Sequence, residues 1–321
     1  MKQSKIEIAR EVLRLEANAI NNLVKHIGDE FEKAVQLIIE RKGRVLVLGL
    51  GKSGHIGKKI AATLASTGQP SFFIHATEAA HGDLGMMTPE DTCLIISHSG
   101  NTRELVSTIP ALKRFGLPII SITSNPRSKV AKYSDVVLLT HVTKEACPLN
   151  LAPTTSTTVT LALGDAIAIA LLEMRGFNKE QFAMYHPSGS LGKRLLIKVA
   201  DLMISDDLPK SNENDSFRDA LTTMTKGKQG VAIILDDNDS CIGILTDGDI
   251  RRTFMKYDKI SEIQLRNIFT RNPKTISADA LAVEALKMMQ DNKITSLIVM
   301  DDNDRTVGLI HIHHILEEGL Y

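Results

Sequence analysis

Four short motifs carry residue types that can bind a phosphate and move protons. They are G-L-G-K-S-G-H at 49–55, S-H-S-G-N-T-R-E at 97–104, E-A-C-P at 145–148 and H-P-S-G-S-L-G at 186–192. The first two follow apolar runs and lead into helical patterns, where an α/β sheet presents backbone N–H groups and hydroxyls to an anion. The other two add a carboxylate and an imidazole, which can transfer protons. Together they predict chemistry on a small phosphorylated metabolite.

The polar loop at 97–102 is the most specific of these motifs. It brings three hydroxyls, one amide side chain and one glycine to the junction of a predicted strand and helix. Each hydroxyl can donate to a phosphate oxygen, and the N-terminus of the helix adds partial positive charge. The alternative is that Thr102 and Glu104 merely suit the first turn of a helix. The residues expected to bind the substrate phosphate are Ser97, Ser99, Gly100, Asn101 and Thr102.

The glycine-rich turn at 49–54 matches G-x-G-x-x-G, yet it favours neither a dinucleotide nor a nucleoside triphosphate. A dinucleotide site needs an acidic residue at the end of the second strand, where this chain has F-F-I-H. A Walker A loop needs a glycine at the position of Leu46. The turn instead predicts a ligand near the backbone at Gly51 and Ser53, within reach of Lys52. A purely structural turn is the alternative.

Alternating strands and helices must position these motifs. Short apolar runs predict strands at 45–48, 70–74, 92–97, 118–123 and 135–139. Helices are predicted at 6–23, from a cap at Asp29 to about 41, and at 54–66, 77–86, 102–115 and 155–175. This order is typical of a doubly wound parallel sheet between two layers of helices, a three-layer αβα domain.

From about residue 201 the chain contains an internal repeat. D-D-N-D at 236–239 recurs at 301–304, and the same shift of 65 residues maps Gly243 onto Gly308. Each copy has the pattern helix, strand, acidic turn, strand, helix, and we expect two α+β modules that pack as a pseudo-symmetric pair. The predicted domains are 1–200, which includes N-terminal helices at 4–41, then 203–262 and 266–321.

Composition restricts the partners and the compartment. Lys plus Arg and Asp plus Glu both number 38, so the net charge is near zero and attracts neither nucleic acid nor an anionic membrane. Three separated cysteines suit a reducing cytoplasm, and the charges within residues 1–14 are unlike a signal peptide. The apolar stretch at 159–172 is interrupted by Asp165, and we interpret it as a buried helix too short to span a membrane. These features predict a cytoplasmic protein without nucleic-acid or membrane partners.

Residues from about 40 to 195 resemble the sugar isomerase (SIS) domain, and residues from about 203 to 321 resemble a tandem pair of CBS domains. The motifs G-L-G-K-S-G-H-I-G, H-G-D-L-G, S-x-S-G-x-T-x-E, E-A-C-P and H-P-x-G-x-L-G, in this domain order, resemble the D-arabinose 5-phosphate isomerase family. The resemblance implies interconversion of D-ribulose 5-phosphate and D-arabinose 5-phosphate through a cis-enediol. That reaction is the entry to Kdo, a sugar acid of lipopolysaccharide or capsule, and it requires no cofactor.

The same resemblance implies roles for individual residues. Either Glu104 or Glu145 is expected to be the base at carbon, Lys52 to stabilise the enediolate, and His186 to move protons between oxygens. A homotetramer is also implied, together with an inhibitory zinc ion at His75. Further substrate contacts are implied for Gly68, Gln69, His75, His81, His141, Val142 and Thr143.

The CBS resemblance implies a nucleotide-type ligand, with Thr246 and Asp249 in the T-x-x-D pattern. The equivalent segment of the second copy is H-I-H-H at 311–314, which departs from that pattern. A purely structural or oligomerising pair is the alternative. For the whole chain the alternatives are a phosphosugar sensor without turnover and an isomerase of another phosphosugar. The sensor is less favoured because the sequence shows no basic recognition helix for DNA.

Overall fold

Five short strands form one parallel sheet in the N-terminal part of the protein. The computed structural model describes residues 4–259 and 263–321 and divides after Phe182 into two units. The strands of the first unit are β1 Val45–Gly49, β2 Ser71–His75, β3 Thr92–Ile96, β4 Ile119–Thr123 and β5 Val136–Leu139, in the order β2-β1-β3-β4-β5. The direction of winding reverses at β1, so the loops after β1 and β3 lie side by side at the carboxyl edge. Doubly wound sheets bind their ligands at this position.

Helices cover both faces of this sheet. They are α1 Lys5–Val24, α2 Asp29–Ile39, α3 Gly51–Ser66, α4 Ala76–Ala79, α5 Arg103–Arg114, α6 Lys129–Tyr133 and α7 Thr155–Met174. Val45 and Val47 of β1 pack with α1, α2, α3 and α7, whereas Leu46 and Leu48 pack with α4, α5 and α6. A central parallel strand is buried on both faces, which explains its uninterrupted apolar sequence. The predicted three-layer αβα architecture is confirmed.

Three details of this unit differ from the sequence-based predictions. Asp29 is not a cap but the first residue of α2, and the N-cap is Gly28, which has no side chain to bond the helix. The helix predicted at 77–86 is divided, because Gly82 has a φ of 128° between α4 and a 3₁₀ turn at Asp83–Met86. The third helix begins at Gly51 instead of residue 54. Lys52 and Ser53 therefore lie in its first turn.

The most apolar helix is α7. It has 20 residues, so by length and composition it could cross a membrane, and the prediction that it is too short for this was wrong. Half of its apolar window is nevertheless buried within the protein. Val159, Leu163 and Ile167 belong to the core beside the sheet, and Asp165 forms an ion pair with Lys59 at 2.6 Å. The interpretation of α7 as a buried core helix agrees with this packing.

The second unit begins with three short helices and continues with the two repeats. The short helices are α8 Lys179–Tyr185, which crosses the division, α9 Ser190–Leu196 and α10 Val199–Leu202. The first repeat contains β6 Lys210–Asn212, α11 Phe217–Gly227, β7 Val231–Leu235, β8 Cys241–Thr246, α12 Asp247–Lys256 and β9 Thr270–Arg271. The second contains β10 Thr275–Ser277, α13 Ala282–Asn292, β11 Ser296–Met300, β12 Thr306–His311 and α14 Ile312–Glu317.

The 65-residue shift predicted from the sequence maps the two repeats onto each other element by element. It carries β6, α11, β7 and β8 onto β10, α13, β11 and β12 with identical bounds. Asp236 and Asp301 each accept two backbone N–H bonds at 2.9 Å, which builds the same hairpin turn in both copies. Val231 and Ile233 share a buried cluster with Ile298. The repeats therefore bury their sheets against each other as a pair.

Candidate active site

The polar loop after β3 is a compact network of hydroxyls. Ser97 Oγ accepts a hydrogen bond from the Gly100 N–H at 3.1 Å and lies 3.2 Å from Thr102 Oγ1. Thr102 occupies the N-cap position of α5, but its side chain makes no capping hydrogen bond. The capping alternative therefore does not account for this hydroxyl. Asn101 Oδ1 accepts from the Lys129 N–H at 3.0 Å and fixes the loop to α6.

Gly100 gives this loop its tight path. Its φ is 64°, and a Cβ atom at this position would overlap the side chain of Ser128. The Gly100 carbonyl also accepts a hydrogen bond from the Val130 N–H at 3.0 Å. Any side chain at Gly100 would push the loop away from α6. Ser99 and Asn101 remain exposed at the carboxyl edge of the sheet, where they can meet a ligand.

An exposed lysine lies in the neighbouring turn. Lys52 is exposed in the first turn of α3, and within residues 4–259 and 263–321 no group forms a hydrogen bond or ion pair with its ammonium. Glu104 is likewise exposed, in the first turn of α5. Its carboxylate has no partner in the part of the chain that the structure describes. A cation and a carboxylate with unused bonding capacity thus flank the hydroxyl loop.

Glu145 has a different environment, because it is buried and one of its carboxylate oxygens accepts three hydrogen bonds. Its Oε2 accepts from the Thr154 N–H at 2.8 Å, from Thr154 Oγ1 at 3.2 Å and from the Ser156 N–H at 3.1 Å. Burial alone would raise the pKa of this carboxyl, but the hydrogen bonds from Ser156 and Thr154 outweigh burial and lower it. Asn150 Oδ1 accepts from the Glu145 N–H at 2.7 Å. The carboxylate therefore fastens the loop at 145–154 to the N-terminus of α7.

One cavity of about 180 Å³ joins these loops. Ser53 lines it from the β1–α3 turn, His98 from the loop after β3, and Glu145 and Ser156 from the loop after β5 and the start of α7. A groove of about 690 Å³ between α2 and α7 is larger, but it carries none of the predicted site residues. We take the small cavity as the candidate active site because it lies at the switch point and is lined by His98, Glu145 and Ser156. Lys52, Glu104 and the hydroxyls of the loop at 97–102 are not among its lining residues.

Six residues that line this cavity were not predicted from the sequence, namely His98, Lys144, Asn150, Leu151, Pro153 and Ser156. His98 stands inside the S-H-S motif, where only the two serines were considered. Ser156 ends the hydroxyl run T-T-S, which spans the N-cap and the first two residues of α7, and such a run is a signal typical of a helix N-terminus. That signal would have identified the partner of the Glu145 carboxylate.

Two residues predicted to contact the substrate, Gly68 and Gln69, lie away from the cavity. Gly68 and Gln69 follow the C-terminal end of α3, at the end of that helix remote from the cavity. Gln69 is buried and accepts a hydrogen bond from Arg175 Nη2 at 2.6 Å, so its amide has a structural partner. The structure does not bring these two residues to the candidate site, and their contact with substrate stays a prediction.

The loop after β5 contains the predicted residues 141–143. The ring of His141 stacks on His26, with 3.9 Å between ring centroids, and burial together with His26 lowers its pKa. Its neighbours Val142 and Thr143 line the cavity. The side chain of His141 is therefore engaged with the segment after α1, while the next two residues form the wall of the site.

His75 and His81 lie near the same edge of the sheet. His75 ends β2 in register with Gly49 of β1, and His81 is exposed after α4. Among the described residues, no group of three or more His, Cys, Asp or Glu side chains is arranged to hold a metal ion. A zinc ion normally takes three or four protein ligands. The described residues of this chain do not supply that number of ligands around His75.

His186 belongs to the second unit and directly follows α8. Its N–H donates to the Ala183 carbonyl at 3.0 Å, and its own carbonyl accepts from the Gly189 N–H at 3.1 Å. The residue is half-buried. These bonds fold the H-P-S-G motif into a tight turn that leads into α9.

In the first repeat, Thr246 and Asp249 are tied to each other. Asp249 Oδ2 accepts from Thr246 Oγ1 at 2.6 Å, and Thr246 Oγ1 accepts from the Asp249 N–H at 3.3 Å, a capping box at the start of α12. Asp249 Oδ1 accepts from Arg252 and Thr270. A ribose would have to displace these partners, and nucleotide binding at this position stays a prediction. The second copy has three neighbouring imidazoles here, at His311, His313 and His314.

Comparison with known proteins identifies both parts of the chain. Residues 37–170 match the SIS domain family, and residues 199–256 and 265–321 match the CBS domain family. The chain is 50% identical over 316 residues to the arabinose 5-phosphate isomerase KdsD of Pseudomonas aeruginosa, with 98% of this chain and 97% of that protein covered. It is 46% identical over 315 residues to the KdsD of Escherichia coli K12, with 98% and 96% covered.

Solved structures resemble the SIS part. The c3406 protein of E. coli CFT073, in complex with arabinose 5-phosphate, matches with a TM-score of 0.56 and 41% identity over 58% of this chain and 100% of that chain. A Bacteroides fragilis structure described as a phosphosugar isomerase involved in capsule formation has a TM-score of 0.55 and 42% identity over 57% of this chain and 97% of that chain. The whole of each protein thus corresponds to little more than half of this chain.

Proposed function

The chain belongs to the arabinose 5-phosphate isomerases, and from this premise we propose that it interconverts D-ribulose 5-phosphate and D-arabinose 5-phosphate at the start of Kdo biosynthesis. The observation that supports this most strongly is the cavity at the switch point of the sheet, which is lined by His98 of the loop after β3 and by Glu145 and its loop. Conversion of D-ribulose 5-phosphate by the purified protein tests it, and absence of product would contradict it.

The phosphate of the substrate binds the loop at 97–102. The exposed Ser99 and Asn101 and the hydroxyl of Thr102 supply donors, and the N-terminus of the 12-residue α5 adds its partial positive charge. Ser97 is buried and holds Thr102 in position. Binding at this end of the sugar leaves the carbonyl end free to meet the catalytic groups.

The reaction moves one proton between neighbouring carbons. Glu104 takes a proton from C1 of the ketose, the C–H electron pair forms the C1–C2 double bond, and the C2 carbonyl becomes an enediolate oxygen. Lys52 stabilises this developing negative charge. His186 moves a proton from the C1 hydroxyl to the oxygen at C2, and Glu104 returns its proton to C2. The product is the aldose, with its carbonyl at C1.

The environments of the two glutamates support this division of roles. Glu145 accepts three hydrogen bonds on one oxygen and has a lowered pKa, which makes it a weak base. The carboxylate of Glu104 has no such partners among the described residues. We therefore assign proton transfer at carbon to Glu104, and we assign to Glu145 the task of shaping the cavity wall.

A Glu145→Gln variant is expected to loosen the loop at 145–154. Hydrogen bonds to a charged group contribute about 1.5–3 kcal/mol, roughly twice as much as neutral ones. Amide hydrogen exchange measured by mass spectrometry should therefore be faster in this loop than in the wild type at pH 7. Glu173→Gln, which changes an exposed glutamate on α7, is the matched control. Equal exchange in the wild type and Glu145→Gln would contradict the anchoring role.

The same contact makes the loop sensitive to acid. Because the pKa of Glu145 is lowered in the folded protein, its stabilising effect is fully present above the ordinary value near 4.5. The effect is lost as the pH falls through the lowered folded value. The difference in exchange between the wild type and Glu145→Gln should therefore shrink in strongly acidic solution.

The proposal also covers the oligomeric state of the protein and its cellular compartment. We propose a cytoplasmic homotetramer without a required cofactor, inhibited by zinc at His75 where another subunit completes the ligands. The exposed Leu149 and Leu151, at 75% and 77% of their full accessible area, support an interface beside the cavity. An active monomer in analytical ultracentrifugation would contradict the tetramer.

A further inference from the structure

We propose that Lys193 is a positioning residue for His186 and couples the isomerase reaction to the second CBS module. The inference rests on the proposed function, in which His186 transfers protons between the substrate oxygens. It concerns contacts within the second unit alone, which contains both residues. It assigns to the CBS pair a direct mechanical part in catalysis.

The first link is the close packing of α9 against the turn that carries His186. A Cβ atom at Gly192 would overlap the His186 carbonyl oxygen and lie 2.9 Å from Pro187 Cα. The first turn of α9 therefore rests directly on the backbone of His186. The Gly189 N–H bonds the same carbonyl, and the Lys193 N–H bonds the Gly189 carbonyl at 2.9 Å. A displacement of α9 must displace His186 with it.

The second link holds α9 on the second module. Lys193 Nζ donates to the Glu318 carbonyl at 2.8 Å and to Glu318 Oε2 at 3.2 Å. Glu318 is the C-cap of α14, and a cation is favourable at this end of a helix. The Lys193 side chain is only 33% exposed. Its ammonium is therefore held against α14 and not free in solvent.

The chain after α9 strengthens the attachment. The Ala282 N–H donates to the Ile197 carbonyl at 2.9 Å, and the Val199 N–H donates to the Ala280 carbonyl at 2.8 Å. Val199 is fully buried in the core of the second repeat. The segment that carries His186 is thus built onto the second module.

One helix connects this contact to the H-I-H-H segment at 311–314. α14 begins directly after His311 and carries His313 and His314 in its first turn, and its C-cap residue Glu318 accepts the hydrogen bonds of Lys193. A change at the H-I-H-H segment can therefore reach α9 along α14. The c3406 protein, whose whole length matches 58% of this chain, was solved in complex with arabinose 5-phosphate. We accordingly expect the contact to adjust the reaction and not to be indispensable for it.

The test uses the full-length protein with Lys193→Met, which keeps the apolar stem and removes the donor. We expect kcat for D-ribulose 5-phosphate to fall about 5- to 10-fold, because a small displacement of a catalytic group is costly. KM should stay within about twofold, since the phosphate loop is untouched. Lys193→Arg should restore at least half of kcat. Arg305→Met, which breaks an exposed ion pair with Asp301 in the same module, is the control and should behave as wild type.

A kcat of Lys193→Met within twofold of the wild type would overturn the inference. So would an equal loss in the Arg305→Met control, because that would indicate a general effect on the module. Circular dichroism melting of each variant separates a loss of fold from a loss of position. A folded Lys193→Met protein with reduced kcat and restored activity in Lys193→Arg supports the inference.

His186→Ala distinguishes failure of this inference from failure of the proposed function. If His186→Ala turns over like the wild type, His186 has no part in the reaction and this inference fails, while the isomerase function stands. If the wild type itself forms no product, the proposed function fails. If His186→Ala has a low kcat while Lys193→Met has the wild-type kcat, only the proposed coupling through Lys193 fails. In the double variant, Lys193→Met should cause no further loss, because its effect passes through His186. A multiplicative loss in the double variant would contradict that route.

Discussion

A Glu104→Gln enzyme is expected to remain folded and to lose about 10²- to 10⁴-fold in kcat, the usual contribution of a general base. The amide is isosteric with the carboxyl but cannot accept the proton from carbon. Glu104 is exposed and makes no side-chain bond within the described residues. Its replacement should therefore remove the general base without removing a structural contact. KM should change little, because phosphate binding belongs to the preceding loop.

The control for this variant is Glu173→Gln, which removes the same charge from the far end of α7. Steady-state kinetics with D-ribulose 5-phosphate should give wild-type turnover for Glu173→Gln. Near-normal turnover in Glu104→Gln would remove Glu104 from the mechanism. If Glu145→Gln then lost activity without loosening its loop, the base would have to be reassigned to Glu145.

Lys52→Met is expected to lower kcat about 10²- to 10³-fold, which is typical of losing one donor to a developing oxyanion. Lys52 lies in the first turn of α3, beside the hydroxyl loop, and no described group neutralises its ammonium. Methionine keeps most of the length of the side chain and removes the charge. The binding of a transition-state mimic should weaken by a similar factor, whereas that of inorganic phosphate should weaken less.

Lys58→Met provides the comparison for Lys52→Met. Lys58 is exposed on the same helix, and its ammonium lies 5.6 Å from the centre of the Phe73 ring. Its replacement should leave kcat within about twofold, because surface charges of this kind contribute little. Equal losses in both variants would indicate a general electrostatic effect of α3 and would contradict a specific role for Lys52.

Much of the fold could be predicted because the sequence pattern and the packing obey the same rule. Buried parallel strands need continuous apolar runs, and those runs gave all five strands of the sheet within two residues. The D-D-N-D turns indicated the 65-residue shift between the two repeats, because a hairpin turn must recur at the same place in each copy. The hydroxyl loop lies at the predicted junction of a strand and a helix, because its residues are adjacent in the chain; its phosphate-binding role stays a prediction.

The remaining features depend on partners distant in sequence. The role of Glu145 follows from Thr154 and Ser156, which approach it only after the loop folds back onto α7. The attachment of α9 to α14 joins Lys193 and Glu318, which are 125 residues apart. The hydrophobic periodicity of the sequence does not predict a contact between residues so far apart. Gly68 and Gln69 were inferred from a resemblance alone, without the geometry that separates them from the cavity.

The most direct measurement is the conversion of D-ribulose 5-phosphate by the purified, EDTA-treated protein in D₂O, followed by ¹H NMR. The account predicts formation of D-arabinose 5-phosphate that carries solvent deuterium at C2. Deuterium is expected because the proposed base is exposed and exchanges its proton with solvent during the life of the enediol. Absence of product would contradict the proposed reaction. Product that retains all of its hydrogen at C2 would contradict proton transfer by an exposed Glu104.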